Sequence, residues 1–262
     1  MNGWDLYEER MRIRGVTRRD TALQREQRNL HRKLPHSLSY HHAVVDDKEQ
    51  DVAILNSDNL DTKMIYSLPG EDIRFGCYVE WMGQHWLVTE KDYNTEVYTR
   101  AKMRQCNYLL RWIDAEHVIH EQWCITEDGT KYLTGEMEDR NFILTRGDSR
   151  IAIIIGRNEE TAILDRVDRF LVDDPLSSHM LAYALTKPLK LNTYTDADGS
   201  INGILGFVLQ EVNTTDDDNQ ELRIADYYKH FLHEKDENGN PILRPAENVP
   251  SAIDMPRREK WM

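Results

Sequence analysis

The sequence predicts a mainly β protein: small β-barrel or sandwich modules with an N-terminal helical arm and an extended C-terminal tail. Three observations predict it. From about residue 40, short segments of alternating apolar and polar residues recur between turn signals, as half-buried strands do. Before them stands a polar, basic segment with helical spacing. After about residue 236 the chain carries Pro241, Pro245, Pro250 and Pro256 with Gly239, a composition for extended chain rather than packed elements. The 262 residues thus divide into an arm (1–35), a first barrel-like module (36–115), a second β-rich module (116–230) and a tail (231–262).

In the arm, Trp4, Tyr7 and Met11 sit at helical spacing, and Gly15 interrupts them. A second helix begins near Thr17 or Asp20, either of which suits an N-cap, and runs to about Lys33 before Pro35 ends it. Its apolar residues are few (Ala22, Leu23, Leu30, Leu34), so it either docks on a partner or stays solvated.

The first module reads as strands at "YHHAVV", "DVAIL" and "TKMIYSL", then the turn "PGED". In "RFGCYVEW", Phe75, Cys77, Val79 and Trp81 alternate with Arg74, Gly76, Tyr78 and Glu80, which predicts a strand with one buried face. "MGQ" is a tight turn, "HWLVTE" the return strand, and "TEVYTRAKM" and "QCNYLLRWID" continue the series. Strands this short, separated by turns, predict a small barrel with Trp81 and Trp86 in its core. Tyr78, Tyr93 and Tyr98 are left on faces that the pattern does not assign.

In the second module, "HVIHEQWCIT" places Ile119, Trp123 and Ile125 on one face, and "EDGT" supplies an Asp-Gly turn. "SRIAIIIG" is apolar almost throughout, as a strand covered on both faces would be. "NEETAIL" and "DRFLVDD" follow, and Asp174-Pro175 marks a break. Strands then flank the Asp-Gly turn in "TYTDADGSING", "NTTDDDNQ" is an acidic loop, and "DYYKHFLHEK" is a short helix or a strand end.

Net charge is −13, unevenly spread: residues 1–33 carry +4 and the remainder −17. A basic arm on an acidic body fits an oriented contact with something acidic, protein or nucleic acid; the plain alternative is a solvated amphipathic helix. The acidic body argues against non-specific DNA wrapping. Hydrophobic residues at 40% and charged residues at 30% indicate a globular chain, with no apolar run long enough for a membrane span. The first fifteen residues lack a signal-peptide core, and Cys77, Cys106 and Cys124 show no CxxC spacing, so a protein made in a reducing cytoplasm is expected.

Motifs for chemistry are sparse. "DADGSIN" (Asp196, Asp198, Gly199, Ser200, Asn202) resembles the start of a calcium loop, but Phe207 stands where the bidentate Glu belongs, so it reads as a β-turn. His36, His41 and His42 cluster in sequence, but adjacent strand residues face opposite ways, so no metal site is expected. No nucleophile elbow, HExxH or phosphate-cradling glycine pattern occurs. The expectation is a non-enzymatic protein with no catalytic residues and no cofactor.

The stretch "SLPGEDIRFGCYVEWMGQHWLVTEKDYNTEVYTRAKMRQCNYLLRWID", followed by "GDSRIAIIIGRNEETAILDRVDRFLVDD" and "ELRIADYY", resembles minor structural proteins of tailed bacteriophages, of the head–tail connector or head-closure type. The resemblance covers about residues 35–230. It implies a virion neck protein that forms a cyclic ring of about six or twelve copies. The portal or adaptor protein would lie above, tail proteins below, and packaged DNA would pass through the channel. On this reading loops 126–140 and 192–203 reach the lumen or the tail side, and the arm contacts its partner through Arg12, Arg14, Arg18, Arg19, Arg25 and Arg28. Two other classes stand beside it: a tail terminator or other tail-proximal protein, and a carbohydrate- or nucleic-acid-binding β module with Trp81 and Trp86 as an exposed stacking platform.

Overall fold

In the computed structural model, described for residues 4, 7, 17–57, 59–93, 96–114, 118–128, 150–166, 168–173, 177, 179–195, 199 and 201–231, the chain is mainly β. Of the described residues, those up to Cys106 together with Thr193–Ile204 form one compact unit, and those of Asn107–Asn192 with those from Leu205 to Phe231 form the other.

The first unit opens with helix α1 (Arg18–Lys33). The Thr17 side chain accepts from the Asp20 amide and the Asp20 carboxylate accepts from the Thr17 amide, a reciprocal cap that satisfies two otherwise unpaired donors. Pro35 falls inside a single 3₁₀ turn (Leu34–His36) that ends the helix. Then β1 (Tyr40–Val45), β2 (Lys48–Asn56), β3 (Thr62–Ser67), β4 (Tyr78–Trp81), β5 (Gln84–Asp92) and β6 (Arg100–Gln105) close into a barrel in the order β1-β2-β3-β6-β5-β4. Each run of three is a meander; antiparallel β3–β6 and β1–β4 pairing joins them and leaves no open edge.

The turns explain the pairing registers. Asp46 and Asp47 both adopt positive φ (52° and 62°), as do Met82 and Gly83 (52° and 68°). Two-residue hairpins with this geometry follow the twist of their flanking strands, so Val45 pairs with Lys48 and Trp81 with Gln84. Alternation then sends Ala43, Val45, Val52, Ile54, Val79, Trp86, Val88 and Met103 into the barrel core, with Trp81 packed at its margin. A bulge between Val88 and Glu90 shifts the β5–β6 register.

The strand expected from Arg74 is shorter than its alternation suggests. Phe75 and Gly76 form a turn, and strand geometry begins at Tyr78. Gly76 takes φ +81°, and a Cβ there would overlap the Gly203 carbonyl, so the backbone turns where the pattern alone continues. Phe75 and Cys77 are buried all the same. "TEVYTRAKM" likewise contributes a strand only from Arg100.

The sheet of the second unit consists of β7 (Tyr108–Ile113), β8 (Ile119–Asp128), β9 (Arg150–Gly156), β10 (Arg169–Val172), β11 (Leu181–Thr195) and β12 (Ile201–Val212) in the order β10-β11-β12-β9-β8-β7, the end of β11 from residue 193 and the start of β12 to residue 204 grouping with the first unit. It curls, and its edge strands meet where the Tyr108 hydroxyl donates to the Leu171 carbonyl at 3.1 Å. Leu205, Phe207 and Leu209 alternate inward from β12 onto Leu110, Ile153, Ile155 and Phe170. "NEETAIL" forms helix α2 (Glu159–Ala162), because Asn158 caps the Thr161 amide at 2.7 Å and Glu159 and Glu160 suit the first turn. "DYYKHF" ends in helix α3 (Tyr227–Phe231). Asp174-Pro175, the Asp-Gly turn after β8, most of loop 126–140 and the tail from residue 232 lie outside the described residues. Among the described residues no helix is long and apolar enough to cross a membrane.

Candidate interaction surfaces

α1 has two faces. Leu23, Gln24, Gln27 and Leu30 are half-buried on one side. On that side Gln24, Gln27 and His31 line a cleft with Pro69 and Gly70, and the His31 imidazole Nε2 lies 3.2 Å from the Pro69 carbonyl. Arg18, Arg25 and Arg32 recur every seven residues on the opposite side, all exposed. They form no ion pair among the described residues, and successive side chains stand about 10 Å apart along one stripe. Of the other arginines named from sequence, Arg19 pairs with Glu96, Arg28 donates Nε–H to the Gln24 carbonyl at 3.1 Å, and Arg12 and Arg14 lie outside the described residues.

The barrel presents an acidic outer face. Val44 pairs with Glu49 on one side and with Glu80 on the other, so Glu49, Val44 and Glu80 make one row across β2, β1 and β4. Two strand spacings separate the carboxylates, about 10 Å. Asp51 and His42 form an ion pair in the neighbouring row. These residues line a groove with Glu71 and the tip residue Met82, which is 77% exposed. Burial, and then the nearby Asp51 charge, hold the Glu71 carboxyl above the usual range. Gln50 Oε1 and Glu71 Oε2 are buried with no hydrogen-bond donor.

The tryptophans do not form an exposed platform. Trp86 is 4% exposed, and its ring lies 5.9 Å from that of Trp81, which in turn makes an edge contact with His41. Apolar burial outweighs exposure here because both residues share the inward phase of the β4–β5 hairpin. The tyrosines have partners: Tyr98 meets Tyr66, and Tyr93 meets Tyr194 and Lys91. Tyr194 also makes an edge contact with Phe75, and Arg74 donates to Asn202 in the same unit.

His36, His41 and His42 do not converge, and among the described residues no group of three His, Cys, Asp or Glu could hold a metal ion. Asp196, Asp198 and Ser200 lie outside the described residues. The three cysteines are free and buried, and burial pushes the Cys77 and Cys106 thiols up to about 12, which makes them inert.

Sequence reasoning missed two polar clusters in the second unit. His120 directs Nε2 at Asp114 (2.7 Å) and Nδ1 at Glu160 (3.3 Å) while stacking on Trp112. Both ring nitrogens serve orientation, which leaves neither for a substrate. Arg169 holds Asp218 with two bonds (3.1 and 3.0 Å) and Asp226 with one (2.6 Å), and Asp218 is fully buried. Its partners lie 49 and 57 positions away, beyond the reach of any local motif.

Residues 21–105 match the family model of the YomX N-terminal domain, a phage-associated family. The match spans most of α1 and the whole first barrel. No curated protein and no solved structure shows significant similarity to the chain.

Proposed function

We propose that this chain, whose first barrel matches a phage-associated domain, is a structural protein of a tailed-phage particle, placed in the neck as a ring-forming head-closure or connector component. That match is the observation that carries the phage assignment. The neck placement is supported by the sequence resemblance over the strands of both units and by the charge distribution. An acidic body repels phosphates, so a ring made of it passes DNA without holding it. Its role is mechanical: the β units form the ring body, and the basic helix supplies a contact to a neighbour.

Gold-labelled antibody on purified particles tests the placement. The expected label is at the head–tail junction, and particles made without the protein should have full heads that leak DNA or lack tails. Label along the tail or at its far end replaces the neck assignment with a tail-proximal one. Absence from purified virions, or normal infectivity without the protein, overturns the structural role.

A further inference from the structure

We infer that α1 of one copy docks its Arg18–Arg25–Arg32 stripe on the Glu49–Glu80 row of the first barrel of a second copy. The inference rests on the structural-protein reading, because that reading makes a second copy the occupant.

Four observations on the first unit carry it. Among the described residues the stripe has no ion pairs, and it turns away from its own barrel, which α1 meets through the opposite side at Gln24, Gln27 and His31. Its exposed arginines are therefore open to carboxylates of a second copy. The groove is the matching surface: Glu49, Asp51, Glu71 and Glu80 gather there, and His42 is already held by Asp51. Glu49, like the arginines, forms no ion pair among the described residues.

The spacings also agree. Arginines seven residues apart on a helix repeat at about 10.5 Å, and carboxylates two strands apart repeat at about 10 Å. Two successive arginines can thus meet Glu49 and Glu80 together, with the helix lying across the strands. Exposed Met82, at the end of the groove, adds an apolar contact beside Ala22, the small residue on the stripe's flank. Donor and acceptor are different patches of one unit, so the contact is heterologous and propagates from copy to copy, closing a ring when the rotation permits.

Charge exchange tests this on the full chain. One variant carries Arg18→Glu, Arg25→Glu and Arg32→Glu; the other carries Glu49→Lys and Glu80→Lys. Circular dichroism and thermal melts establish that both fold, and sedimentation gives the association state. The wild type should assemble at about 0.05 M NaCl and dissociate by about 0.5 M, where screening is strong. Each variant alone should associate at least about 100-fold more weakly. Mixed in equal amounts they should assemble again, because acidic helix then meets basic groove and basic helix meets acidic groove.

A monomeric wild type at both salt concentrations overturns the inference, as does either variant assembling like the wild type. A mixture that stays monomeric also overturns it. Rescue in the mixture by a chain absent from virions keeps this interface and removes the structural-protein reading. A virion protein that fails the exchange keeps that reading and removes the interface.

Discussion

Asp218 is one of three consecutive aspartates, and only it is buried. Arg169 explains why. Its guanidinium fork holds both oxygens of Asp218, and the Thr215 and Asp226 amides donate to the same carboxylate. Arg169→Met should therefore cost about 3–5 kcal/mol in urea unfolding, since it leaves a buried carboxylate uncompensated. A loss under about 1 kcal/mol would show that the network is dispensable. The acidic loop was legible in "NTTDDDNQ", but its buried member was not, because burial follows from a partner 49 residues distant. Glu71 gives a pH signature. Its folded pKa lies above the usual value, chiefly through burial and then through Asp51, so the folded state favours its protonated form. Its contribution is best at low pH and is lost as pH rises through that raised pKa. Glu71→Gln should thus melt higher than the wild type at neutral pH, with the difference vanishing below the ordinary glutamate range. Equal melting temperatures at neutral pH would contradict this.

Among elements, the connection from β3 to β4 shows where local pattern and fold part. Phe75 and Cys77 keep the alternation, and both are buried. Yet Gly76 between them has positive φ and lies against the Gly203 backbone. Gly76→Ala should cost about 2 kcal/mol or more, combining left-handed strain with a backbone clash, and the thermal melt reads it directly. A neutral effect would mean that the close approach does not persist in solution. α2 teaches a related lesson. "NEETAIL" follows a strand and contains apolar residues, but Asn158 offers its side chain to the Thr161 amide, and one helical turn results. By contrast, α1 was readable because Thr17 and Asp20 each suit an N-cap and Pro35 stops the helix, and the structure joins the two residues in one reciprocal cap. β12 was readable because a long apolar run follows the Asp-Gly turn of "TYTDADGSING".

At the scale of the whole molecule, charge segregates along the chain, +4 in the first 33 residues against −17 in the rest. The association and virion experiments above act at this scale, since both depend on how copies meet rather than on any one side chain. Local pattern along the chain was enough for the β class, the placement of α1, most strand positions and the inward phase of Trp81 and Trp86. Each of these follows from periods of two or 3.6, or from single cap and stop residues. The folded chain alone reveals that β1 pairs with β4 and β3 with β6, that Thr193–Ile204 groups with the first unit, and that Glu49 and Glu80 share a row. It also decided which side of α1 the barrel covers, leaving Arg18, Arg25 and Arg32 outward. The physical reason is range. A period is a property of neighbours along the chain, whereas strand order and shared faces depend on how curved sheets bury their apolar sides against segments many residues away.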